Sequence, residues 1–311
     1  MITLPVWILI FLVSLFVLVK SSDYFTIAAE RIGLHFKIPP FIIGVTIVAV
    51  GTSIPELVIS IFAVIQNTSE IVVGNVIGSN IANIAFILGI GAVIARKIRF
   101  DHKSAHIDAA FLVASSIFLA ITIWDGEFSW PEALIAILGM AAYLQYVISQ
   151  KSVIPLDLPK HDGLTWKDPS ILILSLAFLL LGAKYTISSM IEIAAIVKIG
   201  AEAIAATAVA LGTSLPELAV TVHVARKGKV ALLVGNLLGS NVFNTFIVMG
   251  IPGLITTLTI PPSIITFALP VMIAISIVFF FLILKKEIPR WQGYLLIVFY
   301  LLFVGKVLNL F

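Results

Sequence analysis

The chain has 311 residues, of which 60% are hydrophobic and only 11% charged, and its mean hydropathy is +1.17. A soluble domain carries about a quarter charged residues, so this composition excludes a soluble globular protein. The net charge of +3 says little about partners, and the absence of cysteine removes disulfides and thiol chemistry.

Apolar runs of about 18 or more residues read as transmembrane helices, which satisfy their own backbone in lipid. The first run, 4–20, has no Lys or Arg before it, and its first cation is Lys20. A signal peptide has the opposite polarity, so this run is expected to be a retained span. Further spans are expected at 40–65, 71–95, 107–124 and 130–149. A polar linker with Lys151, Pro155, Asp157, Pro159 and Lys160 follows. The remaining spans are expected at 169–194, 202–225, 230–256, 263–284 and 291–310. The expected fold class is an all-α polytopic membrane protein of ten transmembrane helices. No nucleic-acid signature is present, and no large soluble domain fits between the spans.

Two motifs recur. Gly51-Thr52-Ser53-Ile54-Pro55-Glu56-Leu57 returns as Gly212-Thr213-Ser214-Leu215-Pro216-Glu217-Leu218, 161 positions later. Gly74-Asn75-Val76-Ile77-Gly78-Ser79-Asn80-Ile81-Ala82-Asn83 returns at the same offset, ending in Ser240-Asn241-Val242-Phe243-Asn244. The offset also pairs Tyr24 with Tyr185, Lys37 with Lys198 and Trp130 with Trp291. The chain therefore reads as a first five-helix repeat (1–150), a cytoplasmic linker (151–168) and a second five-helix repeat (169–311). An odd number of spans per copy makes the second copy enter from the opposite side, the inverted-repeat plan of secondary transporters.

Charge sets the expected orientation. The connections after spans 1, 3, 5, 7 and 9 hold 16 of the 19 cations; the others are Lys184, Lys198 and Lys306. The positive-inside rule makes that side cytoplasmic and puts both termini outside. Asp23, Glu30 and Arg31 read as a solvated or interfacial face after span 1. Lys184 is expected to snorkel or to pair with Glu192, and His223 to have no functional role.

The motifs carry unusual chemistry for lipid. Pro55 and Gly51 should bend or open the helix and free carbonyls near Ala49 to Thr52, and Pro216 should do the same near Ala210 to Thr213. Thr52, Ser53 and Glu56 can share one helix face. Asn75, Ser79 and Asn83 repeat every four residues, as do Asn236, Ser240 and Asn244. Gly78 and Gly239 should admit a neighbouring helix closely. A buried intramembrane carboxylate is costly and marks a functional site. The inventory of carboxylates, hydroxyls, amide oxygens and carbonyls is a hard-oxygen set suited to Ca²⁺ and Na⁺ rather than to zinc or copper.

The paired motifs resemble the two alpha-repeats of the sodium/calcium exchanger family, in its compact prokaryotic form. The resemblance covers both halves and implies Na⁺/Ca²⁺ antiport by alternating access, with spans 1 and 6 as the mobile gate. It implies Glu56 and Glu217 as central ligands shared by both ions. Thr52, Thr213, Ala49 and Ala210 would contribute through backbone carbonyls, and Ser53, Ser79, Ser214 and Ser240 would complete sodium sites. Asn83 and Asn244 take the other central positions, where some relatives carry Asp; the core here therefore has two formal carboxylates. No cofactor is expected beyond Ca²⁺ and Na⁺ as transported ions. Other partners are limited to membrane lipid, and a monomer is the expected working unit. A proton/calcium exchanger using the same glutamates is the alternative. A cation channel is disfavoured by the inverted repeat. An intramembrane serine hydrolase is disfavoured because no histidine accompanies both motifs.

Overall fold

The computed structural model describes residues 4–99, 104–149, 164–196 and 213–308. Helices dominate: α1 (Leu4–His35), α2 (Pro40–Thr52), α3 (Ile54–Ile65), α4 (Glu70–Ala95), α5 (Ser104–Thr122) and α6 (Trp130–Ser149) make the first half. The second half contributes α7 (Lys167–Ile196), α8 (Leu215–Arg226), α9 (Val230–Ile255), α10 (Ile264–Leu284) and α11 (Arg290–Val307). Among the described residues, seven helices are long and apolar enough to cross a membrane, and the bent pair α2–α3 makes an eighth candidate. The expected spans 107–124 and 202–225 correspond to α5, whose apolar part is short, and to α8, whose upstream residues lie outside the described set. The linker through residue 163 lies outside it as well.

The distribution of polarity is the reverse of a soluble protein. Leu9, Phe16, Ile173 and Leu301 are exposed on the outer helices, while Ser, Thr, Asn and Glu side chains are buried inside. Lipid is as apolar as leucine, so helices here associate through close packing and internal hydrogen bonds. The central helices α4 and α9 are enclosed by the others. Small residues let them be: a Cβ on Gly235 would sit 2.2 Å from the Phe41 carbonyl oxygen, and one on Gly239 would sit 2.3 Å from that of Val45. Gly239 therefore fulfils the expected close approach, with α9 pressed on the backbone of α2. Among the described residues nothing lies within 4 Å of a Cβ on Gly78; the partners that symmetry assigns to it, at 206 and 210, fall outside those residues. Exposed Trp130 and Trp291 start α6 and α11, where amphipathic rings suit the membrane–water boundary.

The 161-residue shift reappears in backbone detail. Short strands β1 (Lys97–Arg99), β2 (Glu127–Phe128), β3 (Leu258–Thr259) and β4 (Glu287–Pro289) form two antiparallel ladders, β1 with β4 and β2 with β3. Lys97 faces Pro289 in one, and Phe128 faces Leu258 in the other. Shifting the first pair by 161 in opposite senses gives the second pair, and the shift also carries Arg99–Glu287 onto the Ile260–Gly126 hydrogen bond of 2.9 Å. Each ladder thus joins the two halves reciprocally. The α3–α4 and α8–α9 corners match too. The left-handed residue is Asn67 (φ 56°) in one and Gly228 (φ 69°) in the other, and both corners close with the same pair of carbonyl-capping bonds.

Helix α1 runs well past the expected end at residue 20, to His35. The charges on its extension are not simply solvated. Asp23 pairs with His223 of α8, Glu30 with Lys229 beside α9, and Arg31 with Asp168 of α7 at 3.5 Å. A fourth pair, Lys97–Glu287, ties β1 to β4. Every one of these pairs joins the two halves, and every one lies on the cation-rich side. The extension stays helical because its polar groups find tertiary partners there. Lys184 instead lies over the Tyr185 ring at 5.8 Å from its centroid. The charge reversal Glu30→Lys is expected to destabilise the folded protein by about 1 kcal/mol through repulsion from Lys229. Thermal unfolding in detergent measures this loss, and adding Lys229→Glu should restore most of it.

Candidate ion site

The helix break falls at a serine rather than at the proline. Ser53 has φ −89° and ψ 6°, and Ser214 has φ −88° and ψ 8°. Ser53 ends one helical segment and precedes the next, and Ser214 stands at the start of α8, so Pro55 and Pro216 sit in first turns where a missing N–H costs little. Helices α2 and α3 meet at 41°. Glu56 and Glu217 occupy the first turns of α3 and α8, where the positive end of the helix dipole favours a carboxylate. The Ala49 carbonyl is not bare: it accepts from the Ser53 N–H at 3.1 Å and from the Thr52 hydroxyl at 3.3 Å. Ala210 lies outside the described residues.

The bend between α2 and α3, the start of α8 and the two polar stripes converge. The Ser53 hydroxyl donates to Glu217 Oε1 at 3.0 Å, and the Ser79 and Thr213 hydroxyls lie 3.3 Å apart. The Thr52 hydroxyl lies 3.5 Å from Asn236 Oδ1, and Asn244 Nδ2 donates to Asn80 Oδ1 at 3.2 Å. All four contacts cross between the halves. Asn75 instead holds its own half together, donating to the Glu56 backbone carbonyl at 3.0 Å and to Ser60 Oγ at 3.1 Å.

Both glutamates are wholly buried. Among the described residues, neither oxygen of Glu56 has a hydrogen-bond partner, and Glu217 Oε2 has none. The same holds for Ser214 Oγ, Ser240 Oγ, both amide atoms of Asn83 and Asn244 Oδ1. Buried polar atoms are almost always paired, so such a concentration is the mark of a site that binds something. Among the described residues no Lys, Arg or His forms an ion pair with either glutamate. The unpartnered set is dominated by oxygen atoms, and its two carboxylates match a small hard cation in charge and chemistry. Widened π-helical turns begin beside the asparagines, at Ala82–Ile87 and Asn244–Val248. Such turns are frequent at functional sites.

The model of the family described as "Sodium/calcium exchanger protein" matches residues 6–149 and 168–308. The chain belongs to the sodium/calcium exchanger family. Its relatives in that family include the sodium/calcium exchanger MaX1 of Methanosarcina acetivorans, 35% identical with 95% of this chain and 97% of that protein aligned. The inner membrane protein YrbG of Escherichia coli is 31% identical, with 91% of this chain and 90% of that protein aligned. Among solved structures, the sodium-calcium exchanger NCX_Mj soaked with zero Na⁺ and Ca²⁺ superposes with a TM-score of 0.86 at 29% identity, covering 98% of this chain and 100% of that one. As a member of the exchanger family, this chain is a multi-pass membrane transporter.

Sequence reasoning passed over the layer behind these side chains. Asn80 donates to Thr245, lies against the Met272 sulfur and accepts from Asn244. The signal was present for Asn80, whose shifted counterpart is Asn241, but it stands off the period-four stripe. If the glutamates hold the cation, Ca²⁺ should stabilise the purified protein. The gain is about 2.7 kcal/mol at a hundredfold excess over Kd, read as a rise in melting temperature. Glu56→Gln and Glu217→Gln should each abolish that rise while leaving the metal-free protein folded.

Proposed function

We propose that this protein exchanges Na⁺ for Ca²⁺ across the cell membrane by alternating access, with Glu56 and Glu217 as the shared ligands. The observation that carries this reading is a pair of wholly buried carboxylates, one from each half, that among the described residues have unpartnered oxygens and no cationic side chain paired to them. Thr52, Thr213, Ala49 and Ala210 serve through backbone oxygens, and Ser53, Ser79, Ser214 and Ser240 through hydroxyls. Asn83 and Asn244 present amide oxygens.

The charge explains exchange rather than leak. Moving two uncompensated carboxylates through a closed, water-poor state costs several kcal/mol per ion. One Ca²⁺, or sodium ions in its place, cancels that charge. The loaded site therefore switches sides and the empty one does not. The ions are cargo, no resident cofactor is involved, and no covalent chemistry is assigned to the serines.

The inverted repeat, 1–150 against 169–311 around the linker 151–168, supplies the two-sided geometry with ten spans. The reciprocal ladder register supports it. Helices α1 and α7 pack along one another at the edge of the site and form the moving element. Both termini face outward and the linker inward, with the surrounding lipid as the only other partner of a monomer. The clustering of ion pairs on the cation-rich side supports this orientation.

The decisive experiment is ⁴⁵Ca²⁺ uptake into proteoliposomes loaded with Na⁺, against K⁺ or choline loading, at clamped pH. Uptake is expected only with internal Na⁺, and Glu56→Gln or Glu217→Gln should reduce it at least about a hundredfold, the upper range for losing a metal's supporting group. Uptake that ignores Na⁺ and follows an imposed pH gradient would assign the same glutamates to proton exchange.

A further inference from the structure

The two halves of the site are not equivalent, and one hydrogen-bond chain explains why. It starts at Met272 of α10, whose thioether can only accept. Asn80 Nδ2 lies 3.7 Å from that sulfur and donates to Thr245 Oγ1 at 3.0 Å. The amide nitrogen of Asn80 is thereby turned toward Met272 and Thr245. Its Oδ1 must face the other way, and there it accepts from Asn244 Nδ2 at 3.2 Å. Asn244 has then used its nitrogen, and its Oδ1 is the atom left buried without a partner. All four side chains are wholly or almost wholly buried, so water does not compete for these polarities.

The first half cannot build this chain. Shifted by 161, Thr245 corresponds to Ile84 and Met272 to Phe111, and neither side chain offers an acceptor. The counterpart of Asn80 is Asn241, whose Nδ2 turns back to the Leu237 carbonyl of its own helix at 2.7 Å. Asn83, the counterpart of Asn244, has neither amide atom engaged among the described residues.

We propose that Asn80 is a positioning residue that locks the Asn244 carboxamide with its oxygen toward the ion, making Asn244 a fixed ligand and leaving Asn83 an adaptable one. This rests on the reading of Asn244 as an ion ligand. A fixed extra oxygen serves Ca²⁺ more than Na⁺, because Ca²⁺ takes six to eight oxygen ligands, a shell that is costly to leave short of one. The lock also accounts for an amide at position 244. A carboxylate there would set an oxygen against Asn80 Oδ1, acceptor to acceptor, unless it carried a proton.

The test is a double-mutant cycle in the proteoliposome exchange assay, using Asn80→Ala, Asn244→Ala and the pair, with half-saturating Ca²⁺ and Na⁺ read separately. Asn80→Ala should raise half-saturating Ca²⁺ about tenfold, as loss of a support behind a metal ligand does. Half-saturating Na⁺ should move less, and the maximal rate should hold. The double variant should match Asn244→Ala alone, since a residue acting through another has nothing left to position. Thr245→Val with Met272→Leu removes the acceptors that orient Asn80 at nearly constant volume. It should shift Ca²⁺ in the same direction, and it replaces Asn80→Ala should that protein not be monodisperse. An unchanged Ca²⁺ dependence, equal loss for both ions, or full additivity in the double variant overturns the proposal. A neutral Asn244→Ala would instead remove Asn244 from the ion site and take the reading beneath the proposal with it.

Discussion

Two carboxylates buried among apolar helices, with no cationic side chain among the described residues paired to them, set the terms for everything else in this protein. A charge in hydrocarbon is tolerated only beside a compensating one or in a water-lined cavity. The surrounding helices supply hydroxyl and amide groups in place of lysine or arginine. Those groups stabilise a bound cation but cannot neutralise the carboxylates themselves. The site is thus built to be completed from outside, and the glycine packing of α9 on α2 holds its walls close enough to do so.

The convergence depends on reciprocity between the halves. Ser53 reaches Glu217, and Thr213 meets Ser79, so the hydroxyl groups of each half serve the polar residues of the other. The same reciprocity runs through the ladders at the periphery, where β1 pairs with β4 and β3 with β2. A structure stitched across its two halves at both its centre and its edges has few ways to move. Helices α1 and α7 lie against each other and expose long apolar faces. Their charged contacts to the rest gather at one end, in the pairs that Asp23 and Glu30 make with His223 and Lys229.

Near-symmetry also exposes where the halves diverge. Asn75 is bound within its own half, while the shifted Asn236 faces Thr52 of the other. Asn244 is held and Asn83 is not. A site with two identical halves would bind an ion on its axis with equal claims from both. In the proposed exchange, differences of this kind would let one half define the coordination and the other adapt to ions of different size and charge.

Much of this was legible in the residues themselves. Repetition of Gly-Thr-Ser-x-Pro-Glu within apolar runs identified the two glutamates, because a carboxylate is too costly in lipid to recur without a use. Cation counts grouped the loops that the ion pairs later joined on one side. The proline also announced a break, but not its place: the backbone turns at Ser53, and the proline merely begins the next helix, where its missing N–H is harmless. The length of α1 was hidden as well, since the partners of Asp23, Glu30 and Arg31 are more than 130 positions away in sequence. What the sequence determined was therefore local and periodic: that apolar helical runs cross the membrane, which residues are too polar to be there by chance, and that they come twice. What only the tertiary structure decided was donor against acceptor across helices. Whether Asn80 turns its oxygen or its nitrogen to Asn244 depends on a sulfur of Met272 on α10, and no spacing along the chain encodes that contact.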